Sequence, residues 1–300
     1  MDTSLQNQFR CIESKSKLLH LIERHTKFWS QDYQKIEDLE IALKYQEQLR
    51  PQIKHGYKYT SSVKFLIDHA KCLNDLIIAS NGNPISTPLH EHLRKMLDSD
   101  DRDFVKQENE NSLSLRNYLE DLQGHYSRLL AVRVDLSYKS EFHNLITIDK
   151  FHAEINLFLR RLTNKKGCFK HLHGYVWALE QGEDKGYHCH LLLLYDGSKR
   201  HKDCHLGQEV GEHWQILTGG YGQYFNCNDP HHLKTFIESG KCGLGMIYRK
   251  NDEQVRNLNH VAQYLTRSTK LNQRLLVKAP GMRSFGRGVF NIRKRRGINR

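Results

Sequence analysis

The sequence predicts an α+β protein: a helical first part, then helices packed on a mainly antiparallel sheet. Three observations carry this. Apolar residues recur at helical spacing through residues 1–127. From residue 129 the pattern changes to a period of two. Beyond that point strand-type and amphipathic helical segments alternate along the chain.

In the first part, Leu18, Leu19, Leu21, Ile22 and Phe28 mark one apolar stripe, Ile36, Leu39, Leu43 and Leu49 a second, and Val63, Leu66, Ile67, Ala70, Leu73 and Leu76 a third. Pro51 closes the second element and the loop Asn81-Gly82-Asn83-Pro84 the third. Thr87 followed by Pro88 is an N-cap with proline at the first helical position, and the polar segments DSDDRD and QENENS are expected to separate the later helices. No chemical constellation stands out here, which suits a helical scaffold or partner-binding module.

The second part opens with LLAVRVDLSY, in which Val132, Val134 and Leu136 alternate with Arg133, Asp135 and Ser137 as in a strand with one buried face. Thr147 can cap a helix whose Phe151, Ile155, Phe158, Leu159 and Leu162 share a stripe. GYVWALEQGEDKGYHCHLLLLYDG reads as a hairpin around the turn Gly182 to Gly186. A helix around Val210, Trp214 and Leu217, a short strand near Gly245 to Arg249 and a helix from about Asp252 to Lys270 complete the pattern. Two domains are therefore expected, residues 1–127 and 128–300, the second ending in a basic arm from about residue 281.

Charge divides the chain in the same way. Residues 1–130 hold 18 basic and 19 acidic residues, whereas residues 131–300 hold 28 basic and 15 acidic, a net +13. No acidic residue follows Glu253, while 12 Lys and Arg lie between Arg256 and Arg300. Such a one-sided block predicts a polyanion partner, nucleic acid before acidic lipid. The seven cysteines are odd in number and form no C-x-x-C pair, as suits a reducing cytoplasm. The N-terminal residues lack an apolar core of signal-peptide length and no run approaches a membrane span, so neither export nor a membrane partner is expected.

Two constellations carry chemistry. His188 and His190 are two apart on a strand, so both imidazoles point to one face and Cys189 to the other. Folding the preceding strand back across the turn places Glu180 opposite 188 or 190, on that same face. Two imidazoles and a carboxylate with open positions suit a divalent cation such as Mg or Mn. His171 and His173 form a second H-x-H, ranked lower because no acidic residue is placed across a turn from it. The cysteines and their neighbouring histidines show no knuckle spacing for structural zinc.

The second constellation is Tyr264. On a helical wheel it borders an apolar face (Val255, Leu258, Val261, Ala262, Leu265) and a basic one (Arg256, His260, Arg267, Lys270). Arg267 one turn on and Arg256 two turns back place it for a phosphate, since guanidinium forks hold phosphate oxygens and favour the phenolate. Tyr248, in IYRK, is the competing nucleophile. A cation site, a tyrosine amid arginines and a basic surface together support phosphodiester attack by tyrosine.

The H-x-H strand, the preceding glutamate and the later tyrosine resemble the HUH endonuclease superfamily. More closely, WALEQGEDKGYHCHLLLLYDG, HVAQYLTRSTK and RSFGRG resemble the C-terminal domain of the YagK/YfjJ prophage proteins, which group with gene-2-type replication proteins of inoviruses, over about residues 125–290. The resemblance implies a sheet of RRM-like or ferredoxin-like topology, His188, His190 and Glu180 as metal ligands and Tyr264 as nucleophile. It also implies a phage or prophage rolling-circle replication initiator that nicks single-stranded or unwound origin DNA. Such an enzyme leaves a 5′-phosphotyrosine and a free 3′-OH, with host replication proteins as further partners. Arg267, Arg256, Lys270, Arg283 and Arg287 would hold phosphate or DNA. Position 260 is His and 268 is Ser, so the second tyrosine of two-tyrosine initiators is missing. The other reading of the same residues is a non-catalytic DNA-binding regulator of prophage origin, and a third is a hydrolase of some other phosphodiester.

Overall fold

The computed structural model describes residues 15–31, 36–49, 56–81, 83, 87–183, 185–267 and 269–290. Among them, helices α1 (Lys15–Gln31) and α2 (Ile36–Leu49), the short strand β1 (Lys58–Tyr59), and helices α3 (Ser61–Ser80) and α4 (Thr87–His125) come first. Then follow β2 (Arg128–Tyr138), α5 (Ile148–Thr163), the hairpin β3 (Leu172–Gly182) and β4 (Gly186–Asp196), and α6 (Asp203–Leu217). The chain continues through β5 (Gly222–Asn226), α7 (Pro230–Glu238), β6 (Gly245–Tyr248), α8 (Asp252–Gln263), β7 (Val277–Lys278) and β8 (Phe285–Arg287). The α+β class holds: an antiparallel sheet packs against helices, and helices precede it.

The strands run in the order β5-β2-β4-β3-β8, every pairing antiparallel, with β6 on the same edge of β2 as β5. β5 takes residues 134–138 of β2 and β6 takes residues 128–131. With β5 and β6 counted as one broken edge, the order is fourth, first, third, second, the arrangement of a ferredoxin-like sheet. β8 extends the far side. Its Gly286 lies where an added Cβ would fall 2.3 Å from the Trp177 ring, so the RSFGRG segment crosses that indole only because the residue has no side chain.

The sheet has two differently used faces. Cys189, Leu191, Leu193 and Tyr195 of β4 join Phe151 and Phe158 of α5 and Trp214 of α6 in one apolar cluster. Leu192 and Leu194 point the other way, to Leu115, Leu119 and Leu122 of α4 and Leu258 and Ala262 of α8. Each fully buried Leu or Phe contributes about 1.5–3 kcal/mol. Thr147 caps α5 as expected, its side chain accepting from the Lys150 amide at 3.2 Å. Across the boundary expected near residue 127, Leu18, Ile22 and Leu66 share the first cluster with Leu130 and Val132, and β1 pairs with β7.

Three expectations need correction. Phe28 is 48% exposed and Trp29, its neighbour, is the buried member of that stripe. DSDDRD and QENENS do not interrupt α4, which runs 39 residues. In DSDDRD, Asp100 accepts from the amides of Ser61 and Ser62 at 2.8 and 3.0 Å, capping α3 from outside, and Asp101 pairs with Arg274, whereas in QENENS Gln107, Glu108 and Asn111 bond to one another along the helix, so the helical backbone stays intact. Finally, the last helix stops at Gln263 rather than Lys270. Tyr264–Thr266 tighten into a 3₁₀ turn and Arg267 is extended. The cues at Pro51, Pro84 and Thr87's side chain lie outside the described residues.

Candidate metal centre and its tyrosine

The hairpin sets the site. Gly186, at φ +59, closes the turn in a conformation other residues resist, and β3 and β4 pair with Glu180 opposite His188 and Ala178 opposite His190. Glu180, His188 and His190 therefore share the face covered by α4 and α8. All three are buried, and their ligand atoms lie within 4.8 Å of one another. Glu180 Oε2 is 3.3 Å from His188 Nε2 and 3.2 Å from His190 Nε2.

The far nitrogens fix both rings. His188 Nδ1 donates to the Gly186 carbonyl at 3.1 Å, and His190 Nδ1 donates to Asp135 Oδ1 at 2.8 Å. With a cation in place those acceptors would keep a proton on each Nδ1 and free both Nε2 lone pairs for it; without one, each Nε2–H donates to Glu180 Oε2. Asp135 is itself held by the Arg133 guanidinium, at 3.1 and 3.2 Å to its two oxygens. The donor set fits a divalent cation: Glu180, His188 and His190 would hold it, with Asp135 and Gly186 orienting the imidazoles.

Electrostatics favour a charged carboxylate. Burial alone would raise Glu180, but hydrogen bonds from His188 and His190 and the charges of His190 and Lys270 hold it well below the usual carboxylate range. Asp135 behaves alike: burial opposes ionisation, and His190 and Arg133 outweigh it. Burial likewise depresses the His190 imidazole, yet hydrogen bonds to Asp135 and Glu180 bring the net direction upward.

Tyr264 stands beside this group. Its ring meets that of His190 edge to face, centroids 5.5 Å apart. Lys270 Nζ lies 3.6 Å from the ring centroid, and the guanidinium carbons of Arg133 and Arg267 lie at 4.6 and 5.1 Å. Lys270 also donates to Glu180 Oε1 at 2.6 Å, joining tyrosine and carboxylate through one ammonium. The arginines pull the phenol towards ionisation, as the sequence suggested, but burial first and Glu180 second outweigh them and its pKa is raised. A cavity of about 290 Å³ opens next to Glu180, bordered by Glu108, Arg267, Lys270 and Lys278.

The remaining candidates lie apart. Arg256 is exposed on α8, and the cations against Tyr264 are Arg133, Arg267 and Lys270 instead. Arg283 is exposed. Arg287 is no part of a free arm: in β8 it donates to Ser114 Oγ at 2.9 Å and lies 4.9 Å from the Tyr118 ring centroid. The basic residues from Arg293 onward, and Ser268, are outside the described residues. Tyr248 is paired with Arg128, seven residues along β2 from Asp135.

Sequence reasoning missed Asp135 and Arg133, read there as the outward polar side of a strand. Once β2 pairs with β4, Asp135 falls opposite His190. The signal was two charged residues in alternation in a strand otherwise apolar. Support also arrives from the helical part. Arg274 pairs with Glu23 of α1 and Asp101 of α4, Gln181 accepts the Leu276 amide at 3.0 Å, and His20 of α1 reaches the Gln181 carbonyl at 2.8 Å. The segment carrying Lys270 is thereby tied to the strand carrying Glu180.

No curated protein and no solved structure matches the chain. The model of the YagK/YfjJ C-terminal domain does, over residues 101–288, a span containing the whole sheet, the histidine pair and Tyr264. The chain therefore belongs to the YagK/YfjJ C-terminal domain family.

Proposed function

We propose that this protein is an HUH-type nicking and joining enzyme for single-stranded DNA, serving as a phage or prophage rolling-circle replication initiator. The observation that carries the reading is the placing of the Tyr264 ring against His190, amid three cations and on the same side as Glu180 and His188. A hydroxyl there can meet a phosphodiester whose oxygens are drawn to Arg133, Arg267 and Lys270.

A divalent cation such as Mg or Mn, held by Glu180, His188 and His190, would supply Lewis-acid polarisation of the scissile phosphate. Tyr264 Oη attacks phosphorus in line, the P–O3′ bond breaks, and the phenolic proton is lost as the departing 3′ oxygen gains one. The products are a 5′-phosphotyrosine ester and a free 3′-OH. One phosphodiester replaces another, so the reverse attack rejoins the strand without an energy source. Lys270, bonded to Glu180 and lying over the ring, positions both groups and offsets charge that develops on the phenol oxygen. Arg267 and the exposed Arg283 extend positive charge beyond the site for flanking phosphates.

The test is a labelled single strand incubated with the protein and Mn or Mg. A protease-sensitive covalent adduct, mapped to Tyr264 by mass spectrometry and lost in Tyr264→Phe, is the expected result. Metal-independent binding with no adduct would overturn it in favour of a DNA-binding regulator, and free hydrolysis products without an adduct would indicate a hydrolase of another kind.

A further inference from the structure

We infer that Phe225, His232 and Phe236 form a stacking platform for an unpaired base of the strand bound at the Tyr264 site, an inference that rests on the function proposed above. The rings come together from two elements. Phe225 of β5 meets His232 of α7 edge to face with centroids 4.8 Å apart, and His232 meets Phe236 one turn along at 5.6 Å. The first contact is edge to face and the second tilted, so the three rings form one cluster. Phe225 is 51% exposed, Phe236 45% and the adjoining Ile237 60%, while α7 buries only Leu233 among its residues. Single exposed apolar residues are ordinary, but a contiguous aromatic group on an otherwise polar helix marks a binding surface.

The register joins this surface to the site. Asp135 is opposite His190 in one direction and opposite Phe225 in the other. Directly opposed residues point to the same side of a sheet, so His190, Asp135 and Phe225 form one row across it, while Tyr224 turns to the other side against Gly211 of α6. Two strand spacings put Phe225 roughly 10 Å from His190. A strand whose phosphate sits by Tyr264 has an adjacent base within reach of that row.

Charge selects the occupant. The row leads back to Arg133, Arg267 and Lys270 around Tyr264. An aromatic surface in register with that cluster of cations suits a polyanion with flat faces, which is single-stranded nucleic acid, since its bases can stack while its phosphates meet the cations.

The experiment measures affinity of the full chain for a fluorescent single-stranded oligonucleotide without metal, by anisotropy, in Phe225→Ala, Phe236→Ala and Phe225→Trp. Phe225→Ala is expected to weaken binding about tenfold and Phe225→Trp to retain it, with little change for duplex of the same sequence. An oligonucleotide abasic at one position should bind wild type and Phe225→Ala equally, because the partner of the ring is then gone. Phe225→Ala within about twofold of wild type on every oligonucleotide, or a loss that no abasic position removes, overturns the platform. Since these measurements need no chemistry, the two readings fail separately: adduct formation with no Phe225 effect sinks the platform alone. A Phe225-dependent strand affinity with no adduct sinks the nicking activity alone, and a wild type that binds no single strand sinks both.

Discussion

The chain contains two H-x-H pairs, and only one becomes a site. His188 and His190 occupy a regular stretch of β4, so the period of two holds and both rings meet Glu180. His171 and His173 straddle an irregularity. His171 has φ +68, and the pairing of β3 with β4 shifts between Leu172 and Gly174. His173 stacks on Tyr126 with centroids 3.7 Å apart and interplanar angle 8°, and its Nε2 lies 3.6 Å from Asp196. An acidic residue is thus present at the second pair too, against the expectation. What it lacks is a backbone that turns two imidazoles to one carboxylate. Burial, partly opposed by Asp196, brings His173 down to about 4, and its stacking on Tyr126 makes the ring part of the packing. A motif therefore acquires chemical meaning from the regularity of the strand beneath it.

The largest effect should separate the pairs by activity. His188→Ala or His190→Ala is expected to cut adduct formation by about 10²- to 10³-fold or more, whereas His171→Ala, at a turn position away from Glu180, should stay within about threefold of wild type. Equal losses from both pairs would show that the histidines act through stability, and melting curves on the same variants would reveal it. A smaller effect separates their carboxylate partners. Asp135→Asn should weaken Mn binding, followed by calorimetric titration, by about 10- to 100-fold because the His190 ring loses the group that fixes its tautomer. Asp196→Asn, beside the packed His173, should leave that affinity unchanged. If Asp135→Asn binds Mn as wild type does, its hydrogen bond only braces the strand.

Locality decides how much of this was legible. Glu180, His188 and His190 could be assembled from sequence because a tight hairpin fixes its own register within a few residues. Asp135 and Arg133 could not, since β2 meets β4 only after the order of the sheet is known, more than fifty residues away. Lys270 was named for the wrong reason: the wheel assumed a helix to residue 270, whereas the chain leaves the helix after Gln263 and returns the ammonium to Glu180 by a bend. α7 carried a readable start, Asp229 before Pro230, with the Asp229 side chain accepting from the amides of His231 and His232. Its nine residues are too few for an apolar stripe to stand out. The long α4 misled in the opposite sense, because Asp100 and Asp101 are bonded to distant parts of the fold that local composition does not reveal.

The smallest effect sharpens the contrast within the site side of the sheet itself. Two buried carboxylates approach one another there, and only Glu180 has imidazoles to stabilise its charge. Glu108, on α4, faces Asn111, Glu180, Lys278 and Lys270; burial raises it to about 7, with Glu180 adding to the rise and Asn111 and the two lysines opposing it. Between the ordinary value near 4.5 and 7 the folded chain then binds a proton that the unfolded chain has released, so folding is favoured below that window and loses ground as pH rises through it. Glu108→Gln keeps an oxygen for the Asn111 amide, which donates at 3.1 Å, and removes the titration. The variant should melt with wild type at pH 5 and about 1–3 °C above it at pH 8. A shift of the same size at both pH values would mean that the side chain acts through packing. A lower melting point at pH 8 would mean that Glu108 is charged in the fold and held by Lys270 and Lys278, which would make it a partner of the ammonium that also reaches Glu180 and Tyr264.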